Sequence, residues 1–88
     1  MKIHHTHPEI LKRLRRAHGH LAKVISMVND QRACLEIAQQ LHAVEHAISN
    51  AKKTLIKDHI DHCLDKIVHS DTKKKSDFSE FKEITKYL

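Results

Sequence analysis

The feature that most constrains this chain is an apolar seam at alternating three- and four-residue steps: Cys34, Ile37, Leu41, Val44, Ile48, Ala51 and Leu55, in a stretch without Gly or Pro. Such spacing lays one side of an α-helix against a neighbour. Nothing interrupts the pattern's helix before His69, so one long element should run from about residue 32 to 69. His59 and Cys63 stand four apart on one face of it. Cys34 stands about 25 residues earlier, which is roughly 37 Å at about 1.5 Å per residue. One straight helix cannot bring these three side chains together. Two such helices lying antiparallel would, because the Cys34 end of one meets the His59/Cys63 end of the other. The three residues therefore imply both a ligand site and a dimer.

The rest of the chain reads as two shorter helices around this one. Residues 1–7 form a His-bearing tail. Thr6 offers an N-cap, Glu9 follows three residues on as in a capping box, and Pro8 falls in the first turn, where its missing N–H costs little. A first helix over about 8–29 carries its seam on Ile10, Leu14, Ala17, Leu21, Val24 and Val28. Gly19 inside it costs about 1 kcal/mol relative to Ala, which suggests close approach by a neighbouring helix or by DNA. Asn29 and Asp30 mark the turn into the long helix. The segment SDTKKKS at 70–76 reads as a charged linker, and Ser76 or Asp77 then caps a short third helix over about 77–88 with an apolar face of Phe78, Phe81, Ile84 and Leu88. The expected fold is all-α, a single domain over residues 1–88, with no strand and no internal repeat.

Two Phe, one Tyr and 40% apolar residues are lean for an independent core in 88 residues, and oligomerisation would supply the missing burial. The formal net charge of +5 makes nucleic acid the leading partner by charge, since a tetramer would carry about +20. No apolar run is long enough for a membrane helix and no signal-peptide pattern is present, so the expected compartment is the cytoplasm, without a membrane partner. In that setting two cysteines point to thiol chemistry with a metal or an oxidant rather than to a structural disulfide.

A Cys, His and Cys donor set suits a thiophilic ion: Cu(I) in a trigonal site, or Ni(II), Co(II) or Zn(II) if a fourth ligand joins. Ten histidines are far above ordinary usage, and they cluster as HHTH at 4–7 and HIDHC at 59–63. The first cluster supplies His4, His5 and His7 as further donors, and the second adds His62 beside Cys63. His18, His42, His46 and His69 read as surface groups or as supports for a ligand side chain. The residues argue against an enzyme, because a helical chain with one glycine has little loop from which to build an oxyanion hole or a substrate pocket.

RLRRAHGHL at 13–21, CLEIAQQLHAVEHAI at 34–48 and HIDHC at 59–63 together resemble the CsoR/RcnR family of small, all-helical, metal-responsive transcriptional repressors. The resemblance covers nearly the whole chain. It implies a three-helix protomer, an antiparallel helical dimer and a disc-like dimer of dimers. It puts Cys34 of one protomer with His59 and Cys63 of its mate at the sensing positions, and it implies an apo-tetramer that binds double-stranded operator DNA and releases it when the inducer binds. Family DNA contact comes from basic residues on flat helical faces, which points to Arg13 and Arg16 first, then Lys12, Lys52 and Lys53.

The inducer is the finer question. The family's copper sensors support the His with a Tyr before the first Cys and a Glu in the third helix. This chain has Ala33 before Cys34, and Glu80 is only a near match. Nickel and cobalt sensors add an N-terminal His, which the tail provides. His20 after Gly19 and DHIDHCL at 58–64 resemble that branch, so Ni(II) or Co(II) is the expected inducer and Cu(I) the alternative. A persulfide sensor would leave His59 without a task, and a formaldehyde sensor would want Pro where Lys2 stands. From another class, a basic cytosolic metal buffer or chaperone would share the ligands but not a metal-dependent affinity for DNA.

Overall fold

The structure, a computed structural model, describes residues 6–69 and 75–88, with side chains over 6–65 and 79–88. Three helices follow one another, α1 over His7–Asn29, α2 over Cys34–His69 and α3 over Lys75–Thr85, and no strand occurs among the described residues. The fold is all-α, as the periodicity predicts. α2 is unbroken for 36 residues, about 54 Å of helix, and it sets the molecule's longest dimension of 59 Å. The radius of gyration, 17.9 Å, far exceeds the roughly 12 Å of a compact chain of this length. A rod-like hairpin with a short third helix buries little by itself.

Local chemistry explains where the helices start and stop. Thr6 takes the N-cap position and its carbonyl accepts the Ile10 N–H at 2.9 Å. The predicted capping box is nevertheless not made. Thr6 has helical dihedrals, φ −84° and ψ −16°, so its side chain makes no cap hydrogen bond, since an N-cap oxygen reaches the first turn from extended backbone. Glu9 turns forward instead, to Arg13 at 3.4 Å. Pro8 sits in the first turn as expected.

α1 ends in a Schellman arrangement: Gln31 N–H donates to Val28 O at 3.1 Å and Arg32 N–H to Met27 O at 3.0 Å. Gln31 takes the left-handed position at φ 57°, where glycine is usual. That loop occupies residues 30–33 and delays α2 to Cys34, two residues later than the periodicity alone suggests. α3 begins earlier than expected, at Lys75, so Ser76 and Asp77 lie inside it rather than ahead of it. It stops at Thr85, and the last residues tighten through bonds such as Tyr87 N–H to Ile84 O at 3.1 Å. Linker residues 70–74 lie outside the described residues.

α1 and α2 pack as an antiparallel hairpin, and each predicted seam splits in two. On α1, Ile10, Ala17 and Val24 are only 2–6% exposed, whereas Leu14, Leu21 and Val28, also seven apart, are 37–56% exposed. On α2, Val44 and Ala51 are buried while Leu41, Ile48 and Leu55 remain exposed. Met27 and Ile56 complete the hairpin core. One heptad position on each helix thus serves the hairpin, and the other faces outward as an uncovered apolar stripe.

Gly19 is exposed, and a Cβ built on it meets nothing within 4 Å. The expected close approach is not made within the chain. Gly19→Ala should therefore raise stability by about 0.5–1 kcal/mol, read as a higher thermal midpoint. An unchanged or lower midpoint would show that another molecule packs on this position.

Candidate metal centre and basic groove

The far third of α2 and the body of α3 form one end of the molecule. His59 and Cys63 project from one face of α2, a turn apart, and α3 lays Glu80 across them. Among the described residues these are the one trio of potential metal-binding side chains whose donor atoms all lie within 4.8 Å of one another. Cys63 is 3% exposed. His59 Nε2 lies 3.3 Å from Glu80 Oε1, near enough for an ion pair with a protonated ring. The approach is not aligned as a hydrogen bond, and Nε2 is a buried nitrogen without a hydrogen-bond partner. A buried thiol, an unsatisfied imidazole nitrogen and a carboxylate make a donor set that a borderline metal ion fits.

Cys34 is not part of that cluster. It is the first residue of α2, exposed, with a free thiol. The helix between it and His59 runs without a break, so the separation of roughly 37 Å holds. His62, half-buried, lies outside the converging trio. His4 and His5 lie outside the described residues, and His7 is the exposed first residue of α1 rather than part of the tail. Its position follows from the hairpin register. Arg13 and Ala17 share a groove with Ala47 and Asn50, and His20 donates from Nε2 to Gln40 Oε1 at 2.6 Å. Continued toward the start of α1, that register brings His7 opposite α2 about one helical turn before His59.

The basic candidates fall on the hairpin. Lys12, Lys52 and Lys53 are exposed. Arg13 and Arg16 line a groove of about 270 Å³ between α1 and α2, together with His20, His46 and Asn50 over a floor of Ala17, Ala43 and Ala47. Sequence reasoning left Glu80 as a near match and did not single out His46 or Asn50 for this face. Glu80 depends on how α3 folds back, which no spacing encodes. Asn50 was within reach by counting, since an antiparallel hairpin closing over residues 30–33 sets it against Arg13.

With this geometry in view, the comparisons with known proteins decide the family. A family model described as a metal-sensitive transcriptional repressor matches residues 6–88. The chain belongs to that family. Its members are transcriptional repressors and not enzymes. The chain is 36% identical over 56 residues to the copper-sensing transcriptional repressor CsoR of Bacillus subtilis (strain 168), an alignment covering 64% of this chain and 55% of that protein. It is 30% identical over 57 residues to the copper-sensing transcriptional repressor RicR of Mycobacterium tuberculosis (strain ATCC 25618 / H37Rv), covering 65% and 59%. The matched region thus spans somewhat over half the length of these relatives. Among solved structures, the nickel-responsive transcriptional regulator InrS superposes with a TM-score of 0.83 at 25% identity, covering 100% of this chain and 99% of that one. Among the described residues no helix is long and apolar enough to cross a membrane.

The two thiols differ in accessibility, and their reactivity should follow. In the metal-free protein, Cys34 should be alkylated faster than Cys63 by more than about an order of magnitude, because only an accessible thiolate attacks. Peptide mass spectrometry after timed exposure to iodoacetamide measures the ratio, and equal rates would contradict the burial of Cys63.

Proposed function

We propose that this protein is a metal-responsive transcriptional repressor which binds operator DNA in its apo form and releases it on binding Ni(II) or Co(II), derepressing metal efflux genes. The observation that carries the reading is the divided site: His59 and Cys63 converge at one end of an unbroken helix whose other end presents an exposed Cys34. A second copy lying antiparallel completes the set, and the outward stripe of Leu41, Ile48 and Leu55 is the apolar surface that would hold it there. A dimer of dimers then gives the tetramer that acts on DNA. The single domain over residues 1–88 would join sensing and DNA binding, with Arg13 and Arg16 as the main phosphate contacts and Lys12, Lys52 and Lys53 as lesser ones.

In this reading Cys34 of one protomer joins His59 and Cys63 of its mate around the ion, each thiol binding as the thiolate. The Glu80 carboxylate 3.3 Å from His59 Nε2 would help to hold the ring in place or join it at the ion. Ni(II) or Co(II) needs at least one more donor. The hairpin register favours the N-terminal tail for it, since α1 begins beside the His59 end of α2, so His4, His5 or His7 would reach the site from the protomer that supplies His59. His62 is the further candidate on α2. The likeness to a nickel-responsive regulator over the whole chain supports the same choice.

The second reading is a Cu(I)-responsive repressor. The contact between His59 and Glu80 favours it, being the acid-to-histidine support that the copper branch uses, and so do the copper-sensing relatives. A three-coordinate ion would need no ligand from the tail. A metal buffer or chaperone, the reading from another class, would bind the same ions without any metal-dependent change in DNA affinity.

Two experiments separate these. Cys34→Ala should leave apo DNA binding intact and abolish release by metal, measured by fluorescence anisotropy on the protein's own upstream region. Loss of apo binding would instead make Cys34 structural. Replacing His4, His5 and His7 together should weaken Ni(II) and Co(II) binding by more than about tenfold while sparing Cu(I), in anaerobic titrations followed by thiolate charge-transfer absorption. An unchanged nickel affinity would leave the Cu(I) reading in possession.

A further inference from the structure

We infer that the groove between α1 and α2 is the seat of one DNA backbone phosphate, and that His46 and Asn50 of α2 bind it directly alongside Arg13 and Arg16 of α1. The inference rests on the DNA-binding reading above and adds to it both the second wall of the contact and the residues on it.

The lining decides what the groove can hold. Arg13, Arg16, His20, His46 and Asn50 surround it, and none of its lining residues is acidic. Two guanidinium groups repel a metal ion, so the imidazoles here do not form a second metal site, and a tetrahedral oxyanion is the ligand that matches the charge. The three alanines of the floor keep side-chain bulk out of the space between the helices. Arg13 is steadied on its N-terminal side by Glu9 at 3.4 Å, while Arg16 has no carboxylate partner among the described residues. That arrangement leaves at least one guanidinium with its fork available.

The opposite wall carries neutral hydrogen-bonding groups. His46 and Asn50 are four apart and face the same groove. His42 stacks on His46, ring centroids 6.5 Å apart at 27°, which limits where the imidazole points. The Asn50 amide offers two N–H donors. His20 has a different part. Gln40 Oε1 accepts from its Nε2 at 2.6 Å, so it ties α1 to α2 at the end of the groove and contributes no second N–H when neutral. A phosphodiester of a duplex, presented along an open groove of a chain of net charge +5, would meet guanidinium on one side and neutral donors on the other.

The test uses full-length apo-protein, a fluorescein-labelled random-sequence duplex and a salt series. His46→Ala and Asn50→Ala should each lower duplex affinity about three- to tenfold, the worth of one hydrogen bond. The salt dependence separates the two walls. Arg16→Ala should flatten the slope of log affinity against log salt by about 0.9, while Asn50→Ala, which removes no charge, leaves the slope unchanged. Asn50→Arg adds a guanidinium and should tighten binding and steepen the slope, so the prediction stands even if Asn50→Ala proves unstable. In ¹⁵N spectra the Asn50 side-chain amide should shift saturably with duplex. If wild type binds the duplex and the His46 and Asn50 variants match it, the seat is wrong and the repressor reading is untouched. If wild type binds no duplex in any metal state, both fall. If inorganic phosphate shifts the Asn50 amide and the duplex does not, the groove belongs to free phosphate and the proposal is overturned.

Discussion

The stiffness of α2 governs the molecule. A helix of 36 residues without Gly or Pro has no place to kink, because sharp bends need proline, a glycine pair or an inserted group. Its backbone therefore fixes the distance between Cys34 and the His59/Cys63 turn more firmly than any tertiary contact does. A flexible loop in the same position would have let one chain fold its donors around an ion. The rod forbids this, so a site holding Cys34 together with His59 and Cys63, as proposed, would need a second chain.

The split of the heptad seams makes the same demand from another direction. Ile10, Ala17 and Val24 on α1 and Val44 and Ala51 on α2 fill the space within the hairpin, yet Leu14, Leu21, Val28, Leu41, Ile48 and Leu55 remain exposed. Fully burying a side chain of this kind contributes roughly 1.5–3 kcal/mol, and these six, each still 37–56% exposed, leave a good part of that unclaimed in a chain whose own core is so small. The need to complete the donor set and the need to cover apolar surface would both be met by the proposed antiparallel pairing. In the proposed tetramer, folding, assembly and sensing would then not be separable steps.

How much of this was legible beforehand depended on the range of the interaction. The helices follow from periodicity, and the ends that depend on a local signal came close: Pro8 in the first turn, the turn after Asn29, the unbroken run to His69. The misplaced details are those where one local signal competes with another. Thr6 and Glu9 have the letters of a capping box, but helical dihedrals at Thr6 and the attraction of Arg13 for Glu9 win. Gln31 holds a left-handed position without the glycine that would have announced it. Burial was only half legible, because three-four spacing marks both halves of a seam and does not say which half the chain keeps for itself. Glu80 was the least legible, since its place beside His59 depends on α3 folding back across α2.

The site and the groove share α2, and that bears on how a metal would act on DNA. Asn50 lies between the two ends of the proposed donor set, about 24 Å along the helix from Cys34 and about 13 Å from His59. The groove, in contrast, is defined by the placement of α2 against α1, which rests on small side chains, Ala17, Ala47, Val24 and Val44, and on the bridge from His20 to Gln40. In the proposed dimer, an ion that tied both ends of α2 to another copy would act on the stiff member of this pair. A small displacement of that rod against α1 changes the spacing between Arg13 and Arg16 on one wall and His46 and Asn50 on the other. Phosphate contacts have narrow distance limits. The coupling available to such a device is no larger than the difference in metal affinity between the two placements of α2, so the ligand that distinguishes them best, and not the one that binds most tightly, would be the effective inducer.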